Sequence, residues 1–375
     1  MRIALFHASA GHGHSKIAEV IYQGLLRNGV SEKDIFMEDA LDETPPWFKK
    51  VYTGIYYYSV KHIPGVWGWA YEMADHRLLY PLWGQHFRRM VNRSFGEGLL
   101  RRVRQEKPDV IICTHFMAPE ILGWEKARGG ISSHLVTVIT DFYPHAFWVN
   151  PGTDHYWVMS DEGKKDLEGR GVPSEKITAG GIPVSPKFRP AGKKKEIRRR
   201  EGLEEDRFTI LLTSGSFGLG PTTDLLETLR EFGGQIQVMV VCGRNEAQLG
   251  ELERNAYPFK TKLYGFVSNM DELMEASDLV VAKPGGSTTS EALAKGVPMV
   301  ILEPIPGQEM GNARLLRERN AAFFLGNSSD IRIILKGILD YPEVLQEKRR
   351  ALQGLAKPEA VSDLARFVLD RGQIS

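Results

Sequence analysis

Short apolar runs recur along the chain, each followed by a polar or glycine-rich turn and then by apolar residues at helical spacing. The opening run RIALFHA leads through Gly11 and Gly13 into an amphipathic stretch from about Ser15 to Arg27, which reads as strand, loop, helix. Further runs at Val110–Cys113, Leu135–Ile139, His155–Met159, Ile210–Thr213, Val238–Cys242, Leu279–Ala282 and Met299–Leu302 alternate with such helical segments. A strand buried on both faces needs an unbroken apolar run, so this alternation predicts α/β architecture with parallel sheets covered by helices on both sides. No repeat of solenoid period is visible. At 375 residues the chain exceeds the ~250–300 at which a single hydrophobic core stops growing, which predicts two αβα domains. The text loses its periodicity at KFRPAGKKKEIRRREGLEEDR, beside Pro186 and Pro190. We therefore expect an N-terminal domain over residues 1–186, a charged linker over 187–207 and a second domain over 208–357, with a last helix within 358–375 packing back on the first domain.

Composition narrows the function. Lysine and arginine total 48 against 47 aspartates and glutamates, a formal charge of +1, which argues against a nucleic-acid partner. The only two cysteines, Cys113 and Cys242, each end an apolar run, so a disulfide framework is excluded and a reducing cytosol is the expected home. No stretch reaches the ~20 consecutive apolar residues of a membrane-spanning helix, and the N-terminus turns glycine-rich too early for a signal peptide. Any contact with lipid is expected to be peripheral. All ten histidines lie between His7 and His155, so the two halves are expected to do different work.

The most specific chemistry lies in KPGGSTTSEA, Lys283 to Ala292, directly after the run LVVA. Pro284 stops the strand, Gly285 and Gly286 allow close backbone approach, and Ser287 and Thr288 open a helix whose free N–H groups suit a diphosphate. Thr288-x-x-Glu291 also fits a capping box, in which Glu291 only holds the helix start. Downstream, PIPGQEMGN places Gln308, Glu309 and Asn312 after the next strand, where ligands bind in open α/β folds. A second glycine-rich turn, SGSFGLGP, carries Ser214, Gly215 and Ser216 after the run ILLT; alone it is a weak phosphate or sugar signal.

The N-terminal turn SAGHGHS has Lys16 where a dinucleotide fingerprint needs its third glycine and lacks the lysine-bearing phosphate loop, which weakens NAD and ATP readings. It presents His12 and His14 instead. A histidine at a helix start is kept neutral by the dipole and can act as a base near its ordinary pKa of ~6.5. In VITDFYPHAFWV, Asp141 and His145 stand just past a strand end; Asp141 orients a histidine, serves as the base itself, or caps a turn. No histidine pair has metal-ligand spacing, and no metal is expected. Between Thr44 and Phe87 lie twelve aromatics, among them Trp47, Phe48, Tyr57, Trp67, Trp69 and Trp83. Lys49, Lys50, Lys61, Arg77, Arg88, Arg89 and Arg93 run through or just beyond them, against only two acids, Glu72 and Asp75. This mixture suits an anionic bilayer surface, while core packing accounts for many of the rings.

The G-x-G-H turn, TDF…H…W, SGSFGLGP, KPGG-x-T-x-x-E and P-x-x-GQE-x-x-N together resemble glycosyltransferase family 28, over nearly the whole chain. The likeness is strongest to the branch of monogalactosyldiacylglycerol synthases and processive diacylglycerol glucosyltransferases. The resemblance implies a GT-B fold, two Rossmann-like domains facing a cleft, with the donor held mainly by the second and the acceptor by the first. It implies that Gly286, Ser287 and Thr288 contact the diphosphate; Gly13, Ser214, Gly215, Ser216 and Gly285 are also expected at the donor. Glu291 would then hold the ribose, Gln308 with Glu309 the sugar, and Phe266 with Val267 the uracil; Asn312 is also expected at the donor. His14 matches the catalytic histidine, with Asp141 beside it, and the aromatic segment with His145 is expected to meet the lipid acceptor. The expected activity is inverting transfer of glucose or galactose from a UDP-sugar to diacylglycerol, at the cytoplasmic face of the membrane, with no cofactor and no nucleic-acid partner. Transfer of N-acetylglucosamine to a polyprenyl-linked peptidoglycan precursor is the runner-up, and a non-catalytic nucleotide-sugar sensor is the alternative from another class.

Overall fold

The computed structural model describes residues 1–9, 11–75, 95–213, 215 and 220–371. Among them are two six-stranded sheets in which every ladder is parallel. The first runs in the order β2 (Ile35–Asp39), β1 (Ile3–His7), β3 (Val110–Cys113), β4 (His134–Val138), β5 (His155–Val158), β6 (Ile177–Ala179). The second runs β12 (Ala322–Phe324), β11 (Met299–Ile301), β10 (Leu279–Ala282), β7 (Phe208–Thr213), β8 (Ile236–Val241), β9 (Lys260–Tyr264). Both sheets reverse direction of growth once, between β1 and β3 and between β7 and β10. At such a switch point the loops leaving two adjacent strands diverge and open a crevice at the carboxyl edge.

The eight interior strands are the apolar runs of the sequence. Missing from the sequence reading are β2, β6, β9 and β12, and these are the four sheet edges. An edge strand has one flank uncovered and stays partly exposed; β2 and β9 carry charged residues there, while β6 and β12 are three-residue strands too short to stand out as apolar runs.

The chain divides into two compact units. The first comprises residues 1–185, 305–312 and 357–375, and the second 186–304 and 313–356. The segment expected as a linker, 187–207, instead carries the helix Lys194–Arg200 and is built into the second unit. Its Arg198 is buried, donating to the Ala276 and Glu205 carbonyls and, at 2.6 Å, to Asp278. Lys295 reaches the carbonyls of Lys187 and Arg189 at 3.1 and 2.9 Å and Glu275 at 2.9 Å. Buried charge joins isolated apolar anchors, Phe188, Ile197 and Leu203, and such scattered anchors make no hydrophobic period to read. The other departure is Ile305–Asn312, expected with the second domain. Its Asn312 accepts from the Phe142 N–H at 2.7 Å, and Pro306 lies so close to Gly68 that a Cβ there would fall 2.4 Å from the proline Cβ. The helix Ala360–Arg371 lies in the first unit, where a Cβ on Gly24 would meet Val361 at 2.4 Å.

The first core stacks Ala4, Phe6, Ile111 and Cys113 against Leu99, Val103, Ile121 and Leu122. The second joins Ile210, Leu212, Val238 and Val281 to Leu225, Leu229, Ile331 and Leu335. Replacing Lys295 leaves Glu275 and two carbonyls without their cation in a nearly dry site. Lys295→Met is expected to destabilise the second unit by about 3–5 kcal/mol, read as loss of amide-exchange protection in its strands under urea; a loss under about 1 kcal/mol would mean that water replaces the ammonium.

Candidate functional site

The first unit gathers its chemistry where β1 and β3 part. Helix α1 (His12–Arg27) begins after Gly11, and His14 stands in its first turn, so its side chain points across to the loop that leaves β3. Its Nδ1 lies 2.9 Å from the Thr114 carbonyl and 3.0 Å from Thr140 Oγ1. A carbonyl only accepts, so Nδ1 carries the proton and Nε2 keeps its lone pair. Thr114 Oγ1 returns a bond to the His14 carbonyl at 3.0 Å. The ring meets His115 edge-on at 4.8 Å and lies 6.2 Å from Trp148. Burial pushes the imidazole down to about 4, the bond to Thr114 opposing the change. The ordinary value near 6.5 expected from the sequence is thus displaced by desolvation.

Asp141 moves the other way. It is buried, and desolvation raises its carboxyl to about 6 although the Trp148 indole N–H donates to it at 2.9 Å. It caps no turn in the expected sense, and the bonds that orient His14 come from Thr114 and Thr140. Sequence alone assigns no role to Thr114, or to Thr140 and Trp148 although both lie in the TDF…H…W motif, because nothing in a threonine's local sequence says which loop it will face. His145 has both ring nitrogens engaged inside the unit: Nδ1 accepts from the Phe147 N–H at 3.1 Å, and Nε2–H donates to the Tyr71 carbonyl at 2.9 Å. With Asp75, which accepts from the Ala146 N–H at 2.7 Å and from Arg170 at 2.8 and 3.0 Å, it ties the 141–148 loop to its neighbours.

The aromatic segment folds as α2 (Pro46–His62) and α3 (Pro64–Asp75). Trp47, Val51, Ile55 and Tyr58 follow helical spacing and are all exposed, as are Val66, Trp69 and Met73; Trp47 is 58% and Trp69 65% exposed. Tyr57 is exposed beneath the Lys61 ammonium. Phe48, expected at the lipid surface, is instead core, stacked on Phe95 at 4.3 Å. Trp67 turns partly inward, edge-on to Tyr56 at 5.5 Å. Trp83 lies outside the described residues.

In the second unit the loops of the switch point are those after β7 and β10. The helix Gly286–Lys295 starts from Gly285 with no side-chain cap and no acid in its first turn, leaving the N–H groups of Gly286, Ser287 and Thr288 directed out of its end. Because Gly285 is the cap, Thr288 sits inside the first turn and the expected capping box does not form. Glu291 is 3% exposed and accepts from Ser287 Oγ at 3.1 Å, while the buried Thr289 and Ser290 hydroxyls have no hydrogen-bond partner. Gly215, after β7, takes a left-handed φ of 73°; Ser214 and Ser216 lie outside the described residues. Past β9, Phe266 is 63% exposed with the Arg244 guanidinium 5.5 Å over its ring, and Val267 is half-buried beside it. Gln308 and Glu309 sit in the first unit, Gln308 taking the Tyr56 hydroxyl at 2.9 Å. Gly13 faces open space, with nothing within 4 Å of where a Cβ would stand. Among the described residues no cluster of three metal-ligating side chains occurs, and no helix is long and apolar enough to cross a membrane.

Two parallel sheets of this order define the GT-B class of α/β proteins. The chain resembles the solved structure of Acinetobacter baumannii MurG with a TM-score of 0.64 and 16% identity over 99% of this chain and 100% of that one. Anabaena HepE in complex with UDP-glucose matches with a TM-score of 0.57 and 13% identity over 99% and 100%. Residues 14–184 match the monogalactosyldiacylglycerol (MGDG) synthase family, and 209–362 match the glycosyltransferase family 28 C-terminal domain. The chain belongs to glycosyltransferase family 28. Among its curated relatives is a processive diacylglycerol beta-glucosyltransferase of Bacillus cereus, 29% identical over 384 aligned residues that cover 100% of this chain and 94% of the relative.

Nitrogen NMR of the ring tests the histidine geometry. At pH 7 His14 is expected to show a protonated Nδ1 and an unprotonated Nε2, and to titrate at about 4. A depressed imidazole pKa contributes stability that is present above the unfolded value of ~6.5 and is lost as pH falls through the folded one. Titration near 6.5 would overturn the dry setting.

Proposed function

We propose that the protein is an inverting transferase that moves glucose or galactose from a UDP-sugar to the free hydroxyl of diacylglycerol, at the cytoplasmic face of the membrane. The observation that carries this reading is the neutral, tautomer-fixed imidazole of His14 at the first switch point, in a chain of a glycosyltransferase family. Nε2 takes the hydroxyl proton as the alkoxide oxygen attacks the anomeric carbon. The bond from that carbon to the UDP oxygen breaks, UDP departs, and attack from the opposite face inverts the anomeric centre to β. Backbone N–H groups of Gly286, Ser287 and Thr288 stabilise the departing diphosphate, so the reaction needs no metal. Glu291 takes the ribose hydroxyls, Phe266 and Val267 the uracil, and Gln308 and Glu309 the hexose, with Gly13, Gly215 and Asn312 as further donor residues.

The activity for which the Bacillus relative is named and the synthase match of the N-terminal half support a diacylglycerol acceptor over the polyprenyl-linked one; the likeness to MurG is one of fold. A base held ready favours catalysis over a sensor. One observation favours a second reading of the base: Asp141, raised to about 6, is the more basic of the two groups.

Radiolabelled UDP-glucose, UDP-galactose and UDP-N-acetylglucosamine, each offered diacylglycerol in EDTA, test the reaction and its base together. Label is expected in glycolipid from a UDP-hexose. His14→Ala should lower kcat by ~10²–10⁴ with UDP affinity unchanged, and the acid limb of kcat/KM should fall near 4. A limb near 6, with Asp141→Asn inactive and His14→Ala still turning over, transfers the base role to the carboxylate.

The exposed stripe of α2 and α3 is proposed as the lipid-facing surface, its apolar rings inserting among anionic headgroups that Lys50 and Lys61 attract. Vesicle sedimentation should show stronger binding to anionic than to zwitterionic lipid, weakened by salt. Trp47→Ala with Trp69→Ala should reduce it, whereas Trp67→Ala, an inward ring, should cost stability first. Equal binding to both vesicle types would remove the electrostatic part.

A further inference from the structure

The segment Ile305–Asn312 is held on the first unit along its length. Glu309 closes it locally, its Oε2 accepting from the Ile305 N–H at 2.9 Å. Pro306 seats on Gly68, Gly307 at φ 83° seats on Tyr71, and Asn312 takes the Phe142 N–H. With the backbone fixed at both ends, the freedom left to Gln308 is the direction of its side-chain amide. Tyr56 removes it: the phenol donates to Oε1 at 2.9 Å.

A primary amide carries its oxygen and its NH2 on opposite sides, so holding the oxygen sets where the two N–H donors point. Burial, with Glu309 and Asp141 adding to it, pushes the Tyr56 phenol well above its ordinary value. It therefore remains a donor throughout the working pH range and cannot let the amide flip by losing its proton. The ring is itself braced by the edge-on Trp67.

We propose that Tyr56 is a positioning residue for the donor hexose, its hydroxyl holding the Gln308 amide so that the NH2 group is presented to sugar hydroxyls. This rests on the reading that the donor is a UDP-hexose and that Gln308 meets its sugar. In this role Tyr56 acts through Gln308, to which its hydroxyl is bonded. Its loss therefore removes the advantage that the hexose gives over UDP alone, and leaves UDP itself bound as before.

Calorimetry with UDP, UDP-glucose and UDP-galactose on the full chain tests this in four proteins: wild type, Tyr56→Phe, Gln308→Ala and the double variant. Tyr56→Phe keeps the ring and its packing on Trp67, so folding is preserved. Its UDP affinity should match the wild type, while the extra affinity for at least one UDP-hexose should fall about three- to tenfold, the effect of one neutral hydrogen bond. The double variant should lose no more than Gln308→Ala alone. An unchanged UDP-hexose advantage in Tyr56→Phe, or additive losses in the double variant, overturns the positioning role and leaves the donor reading standing. Equal weakening of UDP and UDP-hexose in Tyr56→Phe marks a merely structural tyrosine and also overturns it. A wild type that binds no UDP, or binds UDP-hexose no better than UDP, overturns the donor reading, and the positioning role with it.

Discussion

The constraint on which the rest depends is that each parallel sheet grows outward in both directions from its first strand. A crossover from β1 to β2 covers one face, and the long return to β3 must cover the other, so the loops leaving β1 and β3 separate. Their strands stay in register, Phe6 beside Cys113, which brings the residues just beyond them to one level. That is why His14 reaches the carbonyl of Thr114, 100 residues on. The second sheet repeats the geometry with Ala282 beside Thr213, so that two glycine-rich turns far apart in sequence leave neighbouring strands. Neither site needs a long-range contact of its own making; the crossings supply it.

Desolvation then sets the chemistry. Removing water disfavours whichever form is charged, so one environment moves two groups in opposite directions: the imidazole of His14 down to about 4 and the carboxyl of Asp141 up to about 6. Their ordinary order is reversed, yet both are unprotonated at neutral pH. What separates them is hydrogen bonding. His14 is locked into one tautomer by acceptors at Nδ1, whereas Asp141 receives the Trp148 indole, a donor that steadies its anion and lowers its appetite for a proton.

Legibility in the sequence followed burial. The strands covered on both sides carry continuous apolar runs and could be read, whereas the edges could not: β2 and β9 carry charged residues, and β6 and β12 are only three residues long. The segment 187–207 went unread for a related reason: its attachment is made by Arg198 and by Lys295 on backbone carbonyls, and a buried arginine looks like a surface one in sequence. At the site, His14, Asp141 and the loop at Gly285 were legible because each follows an interior strand. Thr114 and Thr140 also follow interior strands, and Thr140 lies in the TDF…H…W motif, but their orienting of the histidine was not legible, because that role is defined by a register between strands.

The aromatic helix α2 shows the limit most sharply. Trp47, Val51, Ile55 and Tyr58 form one stripe, and Phe48, Tyr52, Tyr56 and Ser59 form another, each with steps of four, four and three. The two are displaced by a single residue, about 100° of turn. The first stripe is exposed and the second faces the protein. Both are largely aromatic or branched, so a hydrophobic count assigns them to one face and cannot separate a lipid-facing ring from a core ring. The separation comes from what the inner stripe must do: Phe48 fills the core against Phe95, and Tyr56 spends its one hydroxyl proton on Gln308. A helix with a filled inner face has its remaining apolar side chains directed to solvent, and that surplus marks α2 as a surface built to meet something other than water.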